Sequence, residues 1–249
     1  MTLSIRIGNW LYRNAFPVYN RIYPLFKNMQ DKREMELIGS LVKPGDTVVD
    51  IGANIGFYTR FLAEKVGPAG KVYAFEPDAL NFKRLLQNTA GLTQVQAVQA
   101  AVSHENGVLK IYRSKMLNVD HRTYPVDGAE SVEEIPAITL DSYLPAALKP
   151  SFIKIDIQGY EYFAFQGMRD LIARSPELFI ISEFWPHALT RSGASADKML
   201  QLLDELGLRI QVVQKNGLEE LKAEQYLNLG KLEFLNLLLN KTQHEDKNG

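Results

Sequence analysis

Residues 46–51 (DTVVDI) form a short, nearly continuous apolar run, the pattern of a strand buried on both faces. Residues 57–66 follow with Tyr58, Phe61 and Leu62 at helical spacing. A second strand is expected at 71–75 (KVYAF). A helix over 79–88 carries Phe82, Leu85 and Leu86 on one face. The run 95–103 (VQAVQAAVS) reads as a third strand, with a turn at 105–107 and a hairpin strand at 108–112. Residues 151–156 (SFIKID) give the next strand. The helix after it puts Tyr160, Phe163, Ala164, Gly167, Met168, Leu171 and Ile172 on one stripe. A strand at 177–183 precedes a helix striped by Met199, Leu202, Leu203 and Leu206, which Gly207 closes. Two last strands are expected at 209–215 and 233–241, before a polar, frayed tail at 242–249.

Strand–helix alternation from residue 31 onward implies an α/β domain over 31–241, with a parallel sheet covered by helices on both faces. Ligands of such sheets bind beyond the carboxyl ends of the strands, near the switch in strand order. Attention therefore falls on 50–59, 76–78, 101–103, 156–161 and 183–187. Residues 1–30 stand apart. They hold Arg6, Arg13, Arg21 and Lys27, six aromatics and no acid. That segment reads first as a helical arm packed on the domain, and second as a basic amphipathic segment making peripheral contact with an anionic membrane.

The 28 Lys+Arg and 29 Asp+Glu give a net charge of −1, without the basic excess of a nucleic-acid-binding chain. With no Cys, disulfides, thiolate metal sites and cysteine nucleophiles are excluded. No apolar run approaches the ~20 residues of a membrane-spanning helix, and the first residues lack a signal-peptide pattern. A cytoplasmic location is the expectation.

The chemistry concentrates at Val48–Thr59 (VVDIGANIGFYT). A strand ends in Asp50 and a turn with Gly52 and Gly56 opens a helix. Gly52 permits close backbone approach to a ligand. The helix N-terminus offers free N–H groups, and Glu76 ends the second strand, where an acid can hold ribose hydroxyls. A dinucleotide site normally wants a second glycine where Asn54 stands, and a P-loop wants Gly-Lys-Ser/Thr. A cofactor with an amino-acid end, a ribose and no phosphate suits Asp50, Asn54 and Glu76 better, and S-adenosylmethionine has that shape.

DIGANIGFYT, with FEP after the second strand, resembles the class I S-adenosylmethionine-dependent methyltransferases. FIKIDIQGYE at 152–161 resembles the FkbM-type family within them, with Gln158 where Glu is common. Asn118–Arg122 (NVDHR) resembles a subgroup with an Asp-His-Arg element. The resemblance implies a Rossmann-like fold with a mostly parallel seven-stranded sheet and an added N-terminal helical segment. It implies Gly52, Ala53, Asn54 and Gly56 around the methionine end, Asp50 beneath it, and Tyr58 and Thr59 beside the carboxylate. Glu76 would hold the ribose, Ala101 and Val102 would border the adenine, and Asp156 would stand beside the methyl group. The acceptor implied is a hydroxyl on a sugar, lipid or natural product, a small molecule or glycan, and the near-neutral charge argues against a nucleic acid.

Methylating a hydroxyl calls for a general base at the cleft. His121 is the first candidate, in a long loop over 114–134 between Asp120 and Arg122, which would contact the acceptor. Asp156 is the second; Glu183 joins them in the catalytic set, and each of the two acids ends a buried strand, where a carboxylate without a partner or ligand is costly. His187 follows Glu183 closely enough to contact acceptor. Glu161, at a helix start, divides evenly between dipole complement and function. No tight metal-ligand spacing is present, so no metal is expected. The alternatives are N-methylation of an amine, which needs less base assistance, and a non-catalytic cofactor-binding protein at a membrane surface.

Overall fold

The computed structural model describes residues 3–114 and 129–241. Two helices, α1 (Leu3–Asn14) and α2 (Phe16–Gln30), form the N-terminal arm, and α3 (Lys32–Leu41) leads into the domain. The sheet strands are β1 (Thr47–Ile51), β2 (Lys71–Phe75), β3 (Val95–Val98), β7 (Phe152–Ile155), β8 (Phe179–Phe184), β9 (Leu208–Gln214), β10 (Gly217–Glu220) and β11 (Leu235–Lys241). Between them lie α4 (Phe57–Val66), α5 (Ala79–Asn88), α6 (Leu140–Tyr143), α7 (Glu161–Gln166), α8 (Arg169–Ala173), α9 (Pro186–Arg191), α10 (Ala196–Glu205) and α11 (Ala223–Leu227). A separate three-stranded sheet holds β4 (Ala101–Val102), β5 (Gly107–Ser114) and β6 (Ala129–Ile138) in the order β4-β6-β5.

The main sheet has eight strands rather than the expected seven, in the order β10-β9-β11-β8-β7-β1-β2-β3. The five strands from β8 to β3 are parallel, and β11, β9 and β10 are antiparallel. The extra strand is β10, a polar segment (GLEE) with no apolar period, which pairs with β9 and forms the edge of the sheet. The chain runs β1-β2-β3 outward on one side and returns to β7 on the other. Its switch point is therefore the β1/β7 pair, where Asp50 lies beside Lys154 and Ile51 beside Ile155.

Alternation along these strands builds two cores. Val49, Ile51, Ile153 and Ile155 face a cluster with α7, α8 and α10. Val48 and Phe152 face Ile38 of α3 and Leu62 of α4. By the same alternation Asp50 and Lys154 turn toward α3 and α4.

Two expected elements are broken. The run 95–103 is not one strand: β3 ends at Val98 and β4 joins the second sheet, pairing with β6. The expected single helix after β7 splits at Gly167 into α7 and α8. A Cβ at Gly167 would lie 1.8 Å from the Ser103 carbonyl oxygen, so β4 and this helix pair meet through bare backbone. The expected hairpin strand at 108–112 is the middle of β5, and the expected loop 114–134 is in part β6.

The arm packs on the domain through α1. Tyr12 is buried, its ring lies 3.6 Å from the Arg84 guanidinium, and its hydroxyl is hydrogen-bonded to the Asn81 side chain. Arg84 also donates to the Tyr12 carbonyl at 2.7 Å. Farther along, Asn20 and Asn88 exchange hydrogen bonds of 2.8 and 3.0 Å.

Candidate active site

The carboxyl ends of β1, β2, β7 and β8 open into a cavity of about 680 Å³, within the usual range for a small-molecule site. One wall is the turn after β1. Gly52 sits at φ 83° there, where a Cβ would fall 2.0 Å from the Asp156 carbonyl oxygen. Only glycine lets the ends of β1 and β7 approach so closely. Ala53 and Asn54 complete the wall, and Asn54 itself holds φ 51°.

Glu76 continues that wall. Its Oε2 accepts the Asn54 N–H at 2.8 Å and its Oε1 the Asp78 N–H at 2.9 Å. Burial pushes its carboxyl up to about 8, against the lowering effect of those two N–H groups. Asp78 in turn caps α5, accepting the N–H groups of Leu80 and Asn81. The Asn81 side chain also hydrogen-bonds the Glu76 carboxyl. Ala101 and Val102 of β4 also line the cavity.

The far wall comes from β7, β8 and the segment before β1. Asp156 lies 3.4 Å from the Lys154 ammonium. Burial raises the Asp156 carboxyl, but Lys154 and then Lys27 outweigh it and hold it below its ordinary range. Lys154 is buried beneath the Tyr58 ring, 4.3 Å from its centroid. Burial works against the Lys154 charge, while Asp156, Glu34 and Asp50 more than restore it. Glu183 is buried too, and burial followed by repulsion from Asp156 and Glu161 raises its carboxyl well above the usual range.

Gln158 links the two carboxyls, its Nε2 donating to Asp156 at 3.0 Å and to Glu183 at 3.4 Å. It does so at φ 55°, a left-handed conformation rare for a side-chain-bearing residue and a mark of a constrained site. Glu161 stays out of the cavity. Its Oε1 accepts the N–H groups of Ile157 and Gly159 and so holds the 157–159 turn.

The expected cofactor residues thus separate into two groups. Gly52, Ala53, Asn54, Tyr58, Glu76, Ala101, Val102 and Asp156 line the cavity, and so does Glu183. Asp50, Gly56 and Thr59 do not. Asp50 is fully buried and its Oδ2 accepts the Thr59 hydroxyl at 2.6 Å, so both serve the floor of the turn. Gly56, at φ 88°, packs against Leu85. His187 sits half-buried on α9, outside the cavity lining. Asp120, His121 and Arg122 lie outside the described residues.

Sequence reasoning missed the contribution from α2 and α3. Tyr23, Phe26 and Lys27 of the arm line the cavity beside Asp31 and Glu34. Lys27 pairs with Asp31 at 2.5 Å, and Tyr58 donates its hydroxyl to Asp31 at 2.9 Å. Nothing local in the sequence pointed there, although Asp31 is the first acid in the chain. The cavity lining holds five carboxyls (Asp31, Glu34, Glu76, Asp156, Glu183) against two ammoniums (Lys27, Lys154). Burial raises Glu34, Glu76 and Glu183, so the count of acids does not translate into an equal count of negative charges.

A family model, the methyltransferase FkbM domain, matches residues 50–210, well over half of the chain. The chain belongs to the FkbM methyltransferase family. Its cofactor is S-adenosylmethionine, whose size suits the volume of the cavity.

Among curated relatives, this FkbM-family chain is 40% identical over 74 residues to 31-O-demethyl-FK506 methyltransferase FkbM of Streptomyces tacrolimicus. It is 41% identical over 70 residues to ribosomal RNA large subunit methyltransferase E of Nitrosomonas eutropha. These matches take in 29% and 28% of this chain, and the chain spans only 28% and 29% of the two relatives' lengths. Among solved structures, a Clostridium thermocellum protein assigned as an rRNA-methylase aligns with TM-score 0.53 at 14% identity, over 85% of this chain and 95% of that one. A Streptococcus mutans protein assigned as a methyltransferase, solved with S-adenosylhomocysteine (SAH), aligns with TM-score 0.50 at 12% identity, over 84% and 96%. At these identities the structures support the Rossmann-like fold alone.

Proposed function

We propose that the protein transfers a methyl group from S-adenosylmethionine to a hydroxyl of a small molecule or glycan. The observation that carries this reading is the Glu183 carboxyl, buried in the same cavity as the glycine turn and Glu76, with its proton affinity raised. A neutral alcohol is a poor nucleophile, and a carboxylate of raised proton affinity removes its proton more effectively than an ordinary one.

In this account Glu76 and the turn Gly52–Asn54 hold the ribose and methionine ends, and Ala101 and Val102 flank the adenine. The bound cofactor supplies an electrophilic methyl and leaves as a neutral thioether. Glu183 takes the acceptor hydroxyl proton. Asp156, kept ionised by Lys154, orients the acceptor or offsets the sulfonium charge. Gln158 fixes the spacing of the two carboxyls, and such positioning is most of what a displacement at methyl requires of the protein. His121, with Asp120 and Arg122, is the competing base. Its test is the loss in kcat of His121→Ala set beside that of Glu183→Gln.

The net charge of −1 supports a small acceptor over a phosphodiester, despite the local likeness to an rRNA methyltransferase. The test is a screen of sugar, lipid-alcohol, amine and RNA acceptors, read as SAH release. O-methylation predicts turnover on a hydroxyl acceptor that rises with pH. Turnover confined to amines with a flat profile, or to RNA, would replace this reading.

A further inference from the structure

One side of the N-terminal arm closes the cavity and packs on the domain, and its other side carries a row of apolar side chains facing outward. On α2, Val18, Ile22, Leu25 and Met29 recur at helical spacing, and all four are exposed. Leu25 is 66% and Met29 83% accessible, although either could have found a core in a domain of this size. Ile7 and Trp10 of α1 are exposed as well, Trp10 at 59%. Contiguous apolar exposure on this scale marks a binding surface.

The charge of the arm says what binds. Residues 1–30 contain three arginines and Lys27, and no acid. Lys27 is committed to Asp31, and Arg21 stands exposed on α2 beside Ile22. Apolar and aromatic residues on one face of a helix with arginine beside them match an anionic lipid surface. A second copy of the chain would instead bring arginine against arginine with no arm acid to answer it.

The cavity mouth belongs to the same surface. Phe26, 62% accessible, lines the cavity and lies next to Leu25 on α2. Leu232 and Phe234, between α11 and β11, line it from another element and are also exposed.

We infer that α1 and α2 dock this protein on an anionic phospholipid bilayer, with the apolar mouth of the cavity toward the lipid. Resting on the methyl-transfer reading, this makes the acceptor an amphipathic molecule held at that surface. The docking itself does not depend on the chemistry.

The test is co-sedimentation of the full-length protein with vesicles of phosphatidylcholine alone and with about 30% phosphatidylglycerol. Each arginine near such a surface is worth roughly fivefold in binding. Wild type should pellet with the anionic vesicles at least tenfold better than with the neutral ones, and high salt should weaken it. Leu25→Ser/Met29→Ser should bind at least tenfold more weakly and Arg21→Glu at least fivefold. None of these three side chains lines the cavity, so both variants should keep the thermal shift given by S-adenosylmethionine, which separates lost docking from lost folding or cofactor binding. Absence of pelleting overturns the inference, and so does pelleting indifferent to lipid charge and to these substitutions. A dimer in light scattering that Leu25→Ser/Met29→Ser makes monomeric, with no vesicle binding, would assign the face to a second copy.

Discussion

The backbone N–H of Asn54 donates to Glu76 Oε2 at 2.8 Å, which ties the glycine turn after β1 to the end of β2. Glu76 therefore shapes the turn as well as facing the ligand. A glutamine at this position keeps one accepting oxygen for two N–H donors, and an unsatisfied buried donor costs roughly 1–3 kcal/mol. Glu76→Gln should lower unfolding stability by about that amount in a denaturant titration. It should also weaken S-adenosylmethionine binding by roughly tenfold or more. Unchanged stability with weakened binding would mean that Glu76 acts on the ligand alone.

The raised Glu76 carboxyl gives cofactor binding a pH dependence. Burial raises it to about 8, so the ligand-free fold favours the protonated acid. Its contribution to stability is full below the ordinary carboxylate range and is lost as pH rises through about 8. Ribose hydroxyls donate best to the ionised form, so affinity runs the other way. Isothermal titration from about pH 6.5 to about pH 9 should show S-adenosylmethionine binding tighten toward alkaline pH, and Glu76→Gln should flatten the curve.

Glu183→Gln removes the proposed base at nearly constant shape. The expected loss in kcat is roughly 10²–10⁴-fold with cofactor affinity retained. Because the Glu183 carboxyl is raised, wild-type kcat should climb with pH above the usual carboxylate range before reaching its plateau. A mild effect beside a large one from His121→Ala would move the base to the Asp120–Arg122 segment.

Gln158 donates to both Asp156 and Glu183, which a glutamate could not do. Gln158→Glu would set a third carboxyl between two. Like-charge repulsion should shift the rise of kcat toward alkaline pH by about one unit or more. An unmoved profile would remove Gln158 from the positioning role.

Lys154 answers the charges of Asp156, Glu34 and Asp50 from beneath Tyr58. Breaking a buried pair costs ~3–5 kcal/mol. Asp156 opens to the cavity, with 38% of its side chain accessible, so screening reduces the figure. Lys154→Met should lower stability by about 2–3 kcal/mol near neutral pH, by denaturant titration, and less at acid pH, where the stranded carboxyls take up protons.

Much of the fold was legible because its strands are apolar runs that end at glycine or acid, as β1 and β2 do. Their ends also named the wall of the cavity from Gly52 to Glu76. What stayed hidden was set by distant backbone. Gly167 sits inside a clean helical stripe, yet the Ser103 carbonyl leaves no room there for a Cβ and the helix breaks. Asp50 looked like a ligand-facing acid, but Thr59, in the first turn of α4, donates its hydroxyl to it. Lys27, Asp31 and Glu34 reach the cavity only because the arm folds back over the switch point, and no spacing within residues 27–34 announces that.

The central claim is that the Glu76-anchored cavity binds S-adenosylmethionine, and thermal melting tests it most directly. At about 100 times Kd a ligand adds roughly 2.7 kcal/mol, on the order of 5–10 °C for a chain of this length. S-adenosylmethionine and SAH should each raise Tm by about that much in wild type, NAD should not, and Glu76→Gln should lose most of the shift. A shift with NAD alone, or none with either sulfur nucleotide, would contradict the account.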